Sequence, residues 1–134
     1  MSNKRILIIE DDPGIRTLTK FCLEMDNGWE ISIADCGEDG LLKAKALSPD
    51  VMMLDLLLPD MSGIEVLNRL RSDRATAQIP IILFTANLLE VEIIERRYSN
   101  VVGIIHKPYD SLTLSRDILN ILDRQCKLTS SHNY

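Results

Sequence analysis

No stretch of this chain approaches the roughly 18 consecutive apolar residues of a membrane span, so nothing predicts a membrane partner. Basic residues are too few for a nucleic-acid surface. Lys and Arg number 15 against 20 Asp and Glu, the net charge is −5, and no basic cluster stands out. The three cysteines, Cys22, Cys36 and Cys126, never form a CxxC pair, which argues against structural zinc. An odd number without an export signal fits reduced thiols and predicts a cytoplasmic protein. Met1-Ser2-Asn3-Lys4-Arg5 leads directly into a strand-like run, so no signal peptide is read. There is no internal repeat and no linker. What is present, in 134 residues that are 46% hydrophobic and 26% charged, suits one soluble globular domain with a real core. The expected domain spans 4–125, and 126–134 reads as a loose polar tail with no effector domain.

Strand-like and helix-like segments alternate along the chain. The first strand covers about 5–9. Asp12 can cap the following helix, with Pro13 in its first turn, where a missing N–H is harmless. That helix is expected to bury Ile15, Leu18, Cys22 and Met25 and to end at Asn27-Gly28. A second strand, 29–34, alternates Trp29, Ile31 and Ile33 with Glu30 and Ser32, as an edge strand with one wet face does. A helix over 38–47 stops at Ser48-Pro49. The third strand, 51–55, is apolar up to its last residue and therefore central. Ser62 and Glu65 have capping-box spacing for a helix over 63–71. Then come a strand over 79–84, a helix over 88–98 with Asn87 as its cap, and a strand over 101–105. A last helix turns Leu114, Ile118, Ile121 and Leu122 inward until about Gln125. This order predicts a doubly wound parallel sheet with helices on both faces and right-handed crossovers.

Polar residues recur at the carboxyl ends of these apolar strands. Glu10 and Asp11 follow the first, Asp55 ends the third, Thr85 follows the fourth and Lys107 the fifth. In a parallel sheet those ends converge on one edge, where ligands bind. A lone carboxylate on a buried strand is costly unless it has partners. Three crowded carboxylates call for a hard, oxygen-seeking cation such as Mg²⁺. Asp55 is placed as a nucleophile toward phosphorus, Lys107 as its ion-pair partner, and Thr85 as a donor to a phosphoryl oxygen. Any one of these residues alone reads as an ordinary turn or helix-start residue. Their joint occurrence at four strand ends carries the argument.

At this point the chain resembles the receiver domain of two-component response regulators, in a single-domain, chemotaxis-regulator-like form. The matching pieces are Ile8-Ile9-Glu10-Asp11-Asp12, Met53-Leu54-Asp55-Leu56-Leu57-Leu58-Pro59 with Gly63, Phe84-Thr85-Ala86, and His106-Lys107-Pro108-Tyr109. The resemblance covers nearly the whole chain. It implies a flavodoxin-like five-stranded sheet in the order 2-1-3-4-5. It implies Asp55 as phosphoacceptor, with a sensor histidine kinase or a histidine phosphotransfer protein as donor. It further implies Mg²⁺ held by Glu10, Asp11, Asp55 and the backbone carbonyl of Leu57, and phosphoryl contacts from Thr85 and Lys107. A cis Lys107–Pro108 bond is expected. Output to a downstream protein partner is expected, with no enzyme activity beyond its own phosphorylation and dephosphorylation.

Several positions depart from the family pattern. Ile104 stands where a Phe or Tyr usually turns inward as Thr85 moves, so the switch formed by Thr85 and Ile104 is expected to give an altered or weaker readout. Asn100 stands where Gly is common and is expected to tolerate a left-handed backbone. Leu57 is expected to help exclude water from an acyl phosphate and Asn87 to orient it. The last helix lacks the charged pattern of dimerising members, with Thr113 and Asp117 at two of its positions, so a monomer or weak dimer is expected. The first helix, through Ile15, Leu18, Arg16 and Lys20, and the segment after Lys107 resemble the docking surface for phosphodonors. His106 and His132 carry no signal for a metal, and Met52, Met53 and Met61 read as packing. The alternatives are a phosphate sink or phosphorelay intermediate, an aspartate-nucleophile phosphohydrolase, a flavodoxin-like cofactor protein and a pseudo-receiver scaffold. Leu57 stands where the hydrolase needs a second aspartate. Glu10-Asp11-Asp12-Pro13 would repel a cofactor phosphate, and the full site set argues against a scaffold.

Overall fold

A computed structural model describes residues 4–86, 89–110 and 112–131, with side chains at 27 and 126–131 outside that description. Asn87, Leu88, His132 and the side chain of Cys126 therefore lie outside the described residues. The order is β1 (Arg5–Ile9), α1 (Pro13–Asn27), β2 (Glu30–Ala34), α2 (Gly37–Leu47), β3 (Val51–Asp55), α3 (Gly63–Ser72), β4 (Ile81–Thr85), α4 (Val91–Arg97), β5 (Val101–His106) and α5 (Leu114–Ser131). The strands form one parallel sheet in the order β2-β1-β3-β4-β5, as expected. β3 and β4 are buried at every residue, which explains their unbroken apolar sequence.

Two apolar layers sandwich the sheet. Leu7, Ile9, Met52, Leu54, Ile81 and Leu83 pack under α2, α3 and α4 through Ala44, Val66, Leu67, Leu70, Ile94 and Tyr98. Ile6, Ile8, Met53, Ile82 and Phe84 pack under α1 and α5 through Leu23, Leu114, Ile118 and Ile121. Because strand order reverses between β1 and β3, their carboxyl ends open a crevice between diverging crossovers, the usual place for a site.

The local signals act as read. Asp12 accepts from the N–H groups of Gly14 and Ile15, at 2.8 and 3.1 Å. Gly28 ends α1 at φ +64°, and its N–H bonds Glu24 O. Ser62 Oγ accepts from Glu65 N–H at 3.1 Å. Met52 and Met53 are core residues.

Five details differ. The buried side of α1 runs through Ile15, Thr19, Cys22 and Leu23, while Leu18 and Met25 are exposed, so the helix is rotated from the expected phase. Ile79 and Pro80 precede β4: Pro80 has no N–H for the ladder, although its carbonyl accepts from Met52 N–H at 2.9 Å. α4 begins at Val91, leaving Leu89 exposed. α5 continues past Gln125 to Ser131, because neither Gly nor Pro interrupts it. Among the described non-glycine residues only Ser48 has positive φ, so Asn100 is not left-handed. Its amide instead donates to Ile79 O at 3.3 Å. No helix among the described residues is long and apolar enough to cross a membrane.

Candidate functional site

The carboxyl ends of β1, β3 and β5 bring four of the expected side chains, Glu10, Asp11, Asp55 and Lys107, into contact range. Glu10 extends β1, its N–H bonding Ala34 O on β2 at 3.0 Å, and its carboxylate is almost wholly buried. Asp11 follows, exposed, before the Asp12 cap. Asp55 ends β3 and is 5% exposed. Carboxylate oxygens of Glu10, Asp11 and Asp55 all lie within 4.8 Å of one another. Thr85 ends β4 and is buried. Its carbonyl accepts from Lys107 N–H at 2.9 Å, which draws the end of β5 toward the pocket. The Lys107–Pro108 bond is cis, as expected.

The Lys107 ammonium was expected to pair with Asp55. It does so, donating to Oδ2 at 3.0 Å, and it also donates to Glu10 Oε1 at 2.5 Å. Burial works against its charge, but the bonds to Glu10 and Asp55 outweigh burial and raise its pKa. The Glu10 carboxyl is pushed up to about 7, first by burial and then by its hydrogen bond with Asp55, with Lys107 pulling the other way. One ammonium thus faces three carboxylates, leaving two negative charges when all are ionised. That deficit, among hard oxygen donors, fits a divalent cation such as Mg²⁺.

Backbone and side chains fix this geometry. Leu57 N–H donates to Asp55 Oδ1 at 3.1 Å, orienting the aspartate. Arg16, read as a solvated or docking residue, instead donates to the carbonyls of Glu10 and Asp11 at 3.0 and 3.2 Å. Asp60 accepts from the N–H groups of Gly37 and Glu38 at 2.7 and 2.9 Å, tying the loop after Asp55 to the start of α2. Those bonds hold the Asp60 carboxyl below its usual range. The sequence hint was Cys36, which precedes α2 and makes no capping bond of its own.

Other expectations resolve less simply. The Leu57 side chain is 79% exposed, so it forms no dry wall over Asp55. His106 is exposed, as its place in the alternation implied. Ile104 is half-buried against the α2–α4 layer and pairs in register with Leu83.

The profile of the response regulator receiver domain matches residues 6–119. The chain belongs to that family. Over 123 residues this receiver domain is 40% identical to the DNA-binding dual master transcriptional regulator RpaA of Synechocystis, covering 90% of the chain and 51% of that protein. The receiver domain spans about half the length of the first curated relatives it matches. Among solved structures, the CheY-like receiver domain protein of Methanospirillum hungatei superposes with a TM-score of 0.81 at 33% identity, covering 94% of this chain and 98% of that one. CheY4 of Vibrio cholerae gives 0.80 at 24% identity, covering 90% and 99%, a likeness of fold. Receiver domains act in two-component signalling as phosphoacceptor switches and bind Mg²⁺ at an acidic pocket. The Glu10, Asp11 and Asp55 carboxylates form an acidic group here that could hold such an ion.

Proposed function

We propose that Asp55 is the phosphoacceptor and that its phosphorylation switches binding to a protein partner. The observation that carries this is the buried contact of Asp55 with Lys107 beside two further carboxylates at one sheet edge. An Asp55 oxygen attacks phosphorus in line. The P–N bond to the donor imidazole breaks, and the departing nitrogen takes up a proton. Lys107 steadies Asp55 beforehand and then pairs with a phosphoryl oxygen, while Thr85 donates its hydroxyl to another. Glu10, Asp11, Asp55 and the Leu57 carbonyl would hold Mg²⁺. When bound, the ion neutralises charge on the phosphoryl oxygens.

The donor in this reading is a sensor histidine kinase or a histidine phosphotransfer protein, and the setting is cytoplasmic. Its docking surface is the outer side of α1 with the segment after Lys107. Supporting this are the exposed Leu18, Phe21 and Met25, and an apolar cleft of about 300 Å³ lined by Ile15, Leu18, Ala86, Pro108 and Tyr109 beside Lys107. The domain itself is read as a monomer or weak dimer that does not contact nucleic acid. Thr85 and Ile104 form its switch.

Incubation with phosphoramidate and Mg²⁺, followed by intact mass, tests the reading. One phosphoryl adduct should appear, be suppressed by chelator, and be absent from Asp55→Asn. An adduct that survives in Asp55→Asn would falsify the assignment.

A further inference from the structure

Tyr109 and Thr19 are 90 positions apart, yet their hydroxyls are hydrogen-bonded. Thr19 is fully buried on α1, and its hydroxyl also donates to Ile15 O at 2.6 Å. A hydroxyl has one proton to give, so the phenol donates and Thr19 accepts. A phenol is protonated at neutral pH, and burial raises the Tyr109 pKa further.

Tyr109 stands two residues beyond Lys107 in the loop that leaves β5. Its ring tilts against Phe84 with centroids 5.6 Å apart. The same Phe84 ring lies beneath the Lys107 ammonium, 4.7 Å from its centroid. Lys107 has a long, flexible stem, and its ammonium must stay on Glu10 and Asp55 for the site to be ready. Two things restrict its swing: the aromatic floor under it and the anchorage of the loop that follows it. Tyr109 supplies the anchor and braces the floor.

We propose that the Tyr109–Thr19 hydrogen bond is a latch that ties the Lys107 loop to α1 and so positions Lys107. Tyr109 is a positioning residue that acts through Lys107 and Phe84. The proposal rests on Asp55 being the phosphoacceptor, since it is that reaction which the latch prepares. Thr19 and Tyr109 thereby acquire a purpose that neither polarity nor helical periodicity assigns them.

The test follows the rate of phosphorylation by phosphoramidate against donor concentration, at saturating Mg²⁺, in Tyr109→Phe, Thr19→Val and Thr19→Ser. Removing the bond from either side should lower the limiting rate about three- to tenfold, while Mg²⁺ affinity and the half-saturating donor concentration stay within about twofold. Thr19→Ser keeps the hydroxyl and loses a methyl. It should melt at a lower temperature yet keep the unsubstituted rate. The pair Tyr109→Phe with Thr19→Val should be no slower than the slower single variant, since both delete one bond. Unchanged rates in the folded single variants, a Thr19→Ser as slow as Thr19→Val, or losses that multiply in the pair would each overturn the latch. A second measurement needs no phosphorylation. The Lys107 side-chain NMR resonance should move toward that of free lysine in Tyr109→Phe and Thr19→Val, and an unmoved resonance also overturns the latch. An unsubstituted chain that takes no phosphate, with that resonance still moving in the variants, would instead count against Asp55 as acceptor.

Discussion

Glu10 concentrates the electrostatics of the pocket. With its carboxyl at about 7, against 4.5 for an ordinary glutamate, the folded chain binds that proton more tightly than the unfolded chain does. The stability this adds is fully present below the unfolded value and is lost as pH rises through about 7. On the proposed reading that Glu10 helps hold Mg²⁺, a cation needs its ionised form, so the same shift should gate metal binding. Mg²⁺ affinity should therefore rise with pH by up to roughly tenfold per unit below 7 and flatten above it. Calorimetry in buffers of different ionisation enthalpy should register a proton released on binding below 7 and none well above. Glu10→Gln should bind Mg²⁺ more weakly and lose that slope. A slope that persists in Glu10→Gln would assign the proton elsewhere. The sequence made Glu10 legible as a strand-end acid. It did not show that Lys107 would sit closer to Glu10 than to Asp55, because a four-carbon stem can reach either.

Among the elements, the β3–α3 connection is closely held. Leu57 and Ser62 form an isolated antiparallel bridge, and Gly63 N–H bonds Leu56 O at 2.9 Å. A Cβ on Gly63 would stand 2.7 Å from the Leu56 Cα, and backbone cannot step aside as a side-chain tip can. Gly63→Ala should therefore destabilise the fold by about 1–3 kcal/mol in a denaturant melt. It should also weaken Mg²⁺ binding, because Leu57 and Asp55 share that loop. A melt and an affinity both unchanged would show that the loop has slack. Strand ends, the Asp12 and Ser62 caps and the Gly28 stop were legible because each is a local rule. The phase of α1 was not. That helix carries two apolar stripes, and counting apolar residues favoured the one with Leu18 and Met25. The stripe that is buried contains Thr19, whose hydroxyl meets Tyr109, a partner invisible to periodicity. The far end of α5 was missed for a related reason: polar composition was read as an ending although no residue there stops a helix.

At the scale of the whole molecule, the question is how a change at Asp55 reaches a surface. Thr85 and Lys107 join the pocket to β4 and β5, and Ile104 lies on β5 three residues before Lys107. If Thr85 moves toward a phosphoryl group as proposed, a tyrosine at 104 has a polar edge that could respond, whereas an isoleucine has none. Coupling requires that the two states differ in free energy at the responding element, and an indifferent side chain supplies little difference. Ile104 is only half-buried and borders a cleft of about 470 Å³ along β5 and α5, so a larger side chain at 104 can extend toward solvent. Ile104→Tyr should therefore fold without overpacking and strengthen the switch. The measurement is amide hydrogen exchange across β4, α4 and β5, taken before and after phosphorylation in the native chain and in Ile104→Tyr. The change on phosphorylation should be larger in the tyrosine variant. Equal changes would mean that the signal leaves the pocket by a route in which position 104 has no part.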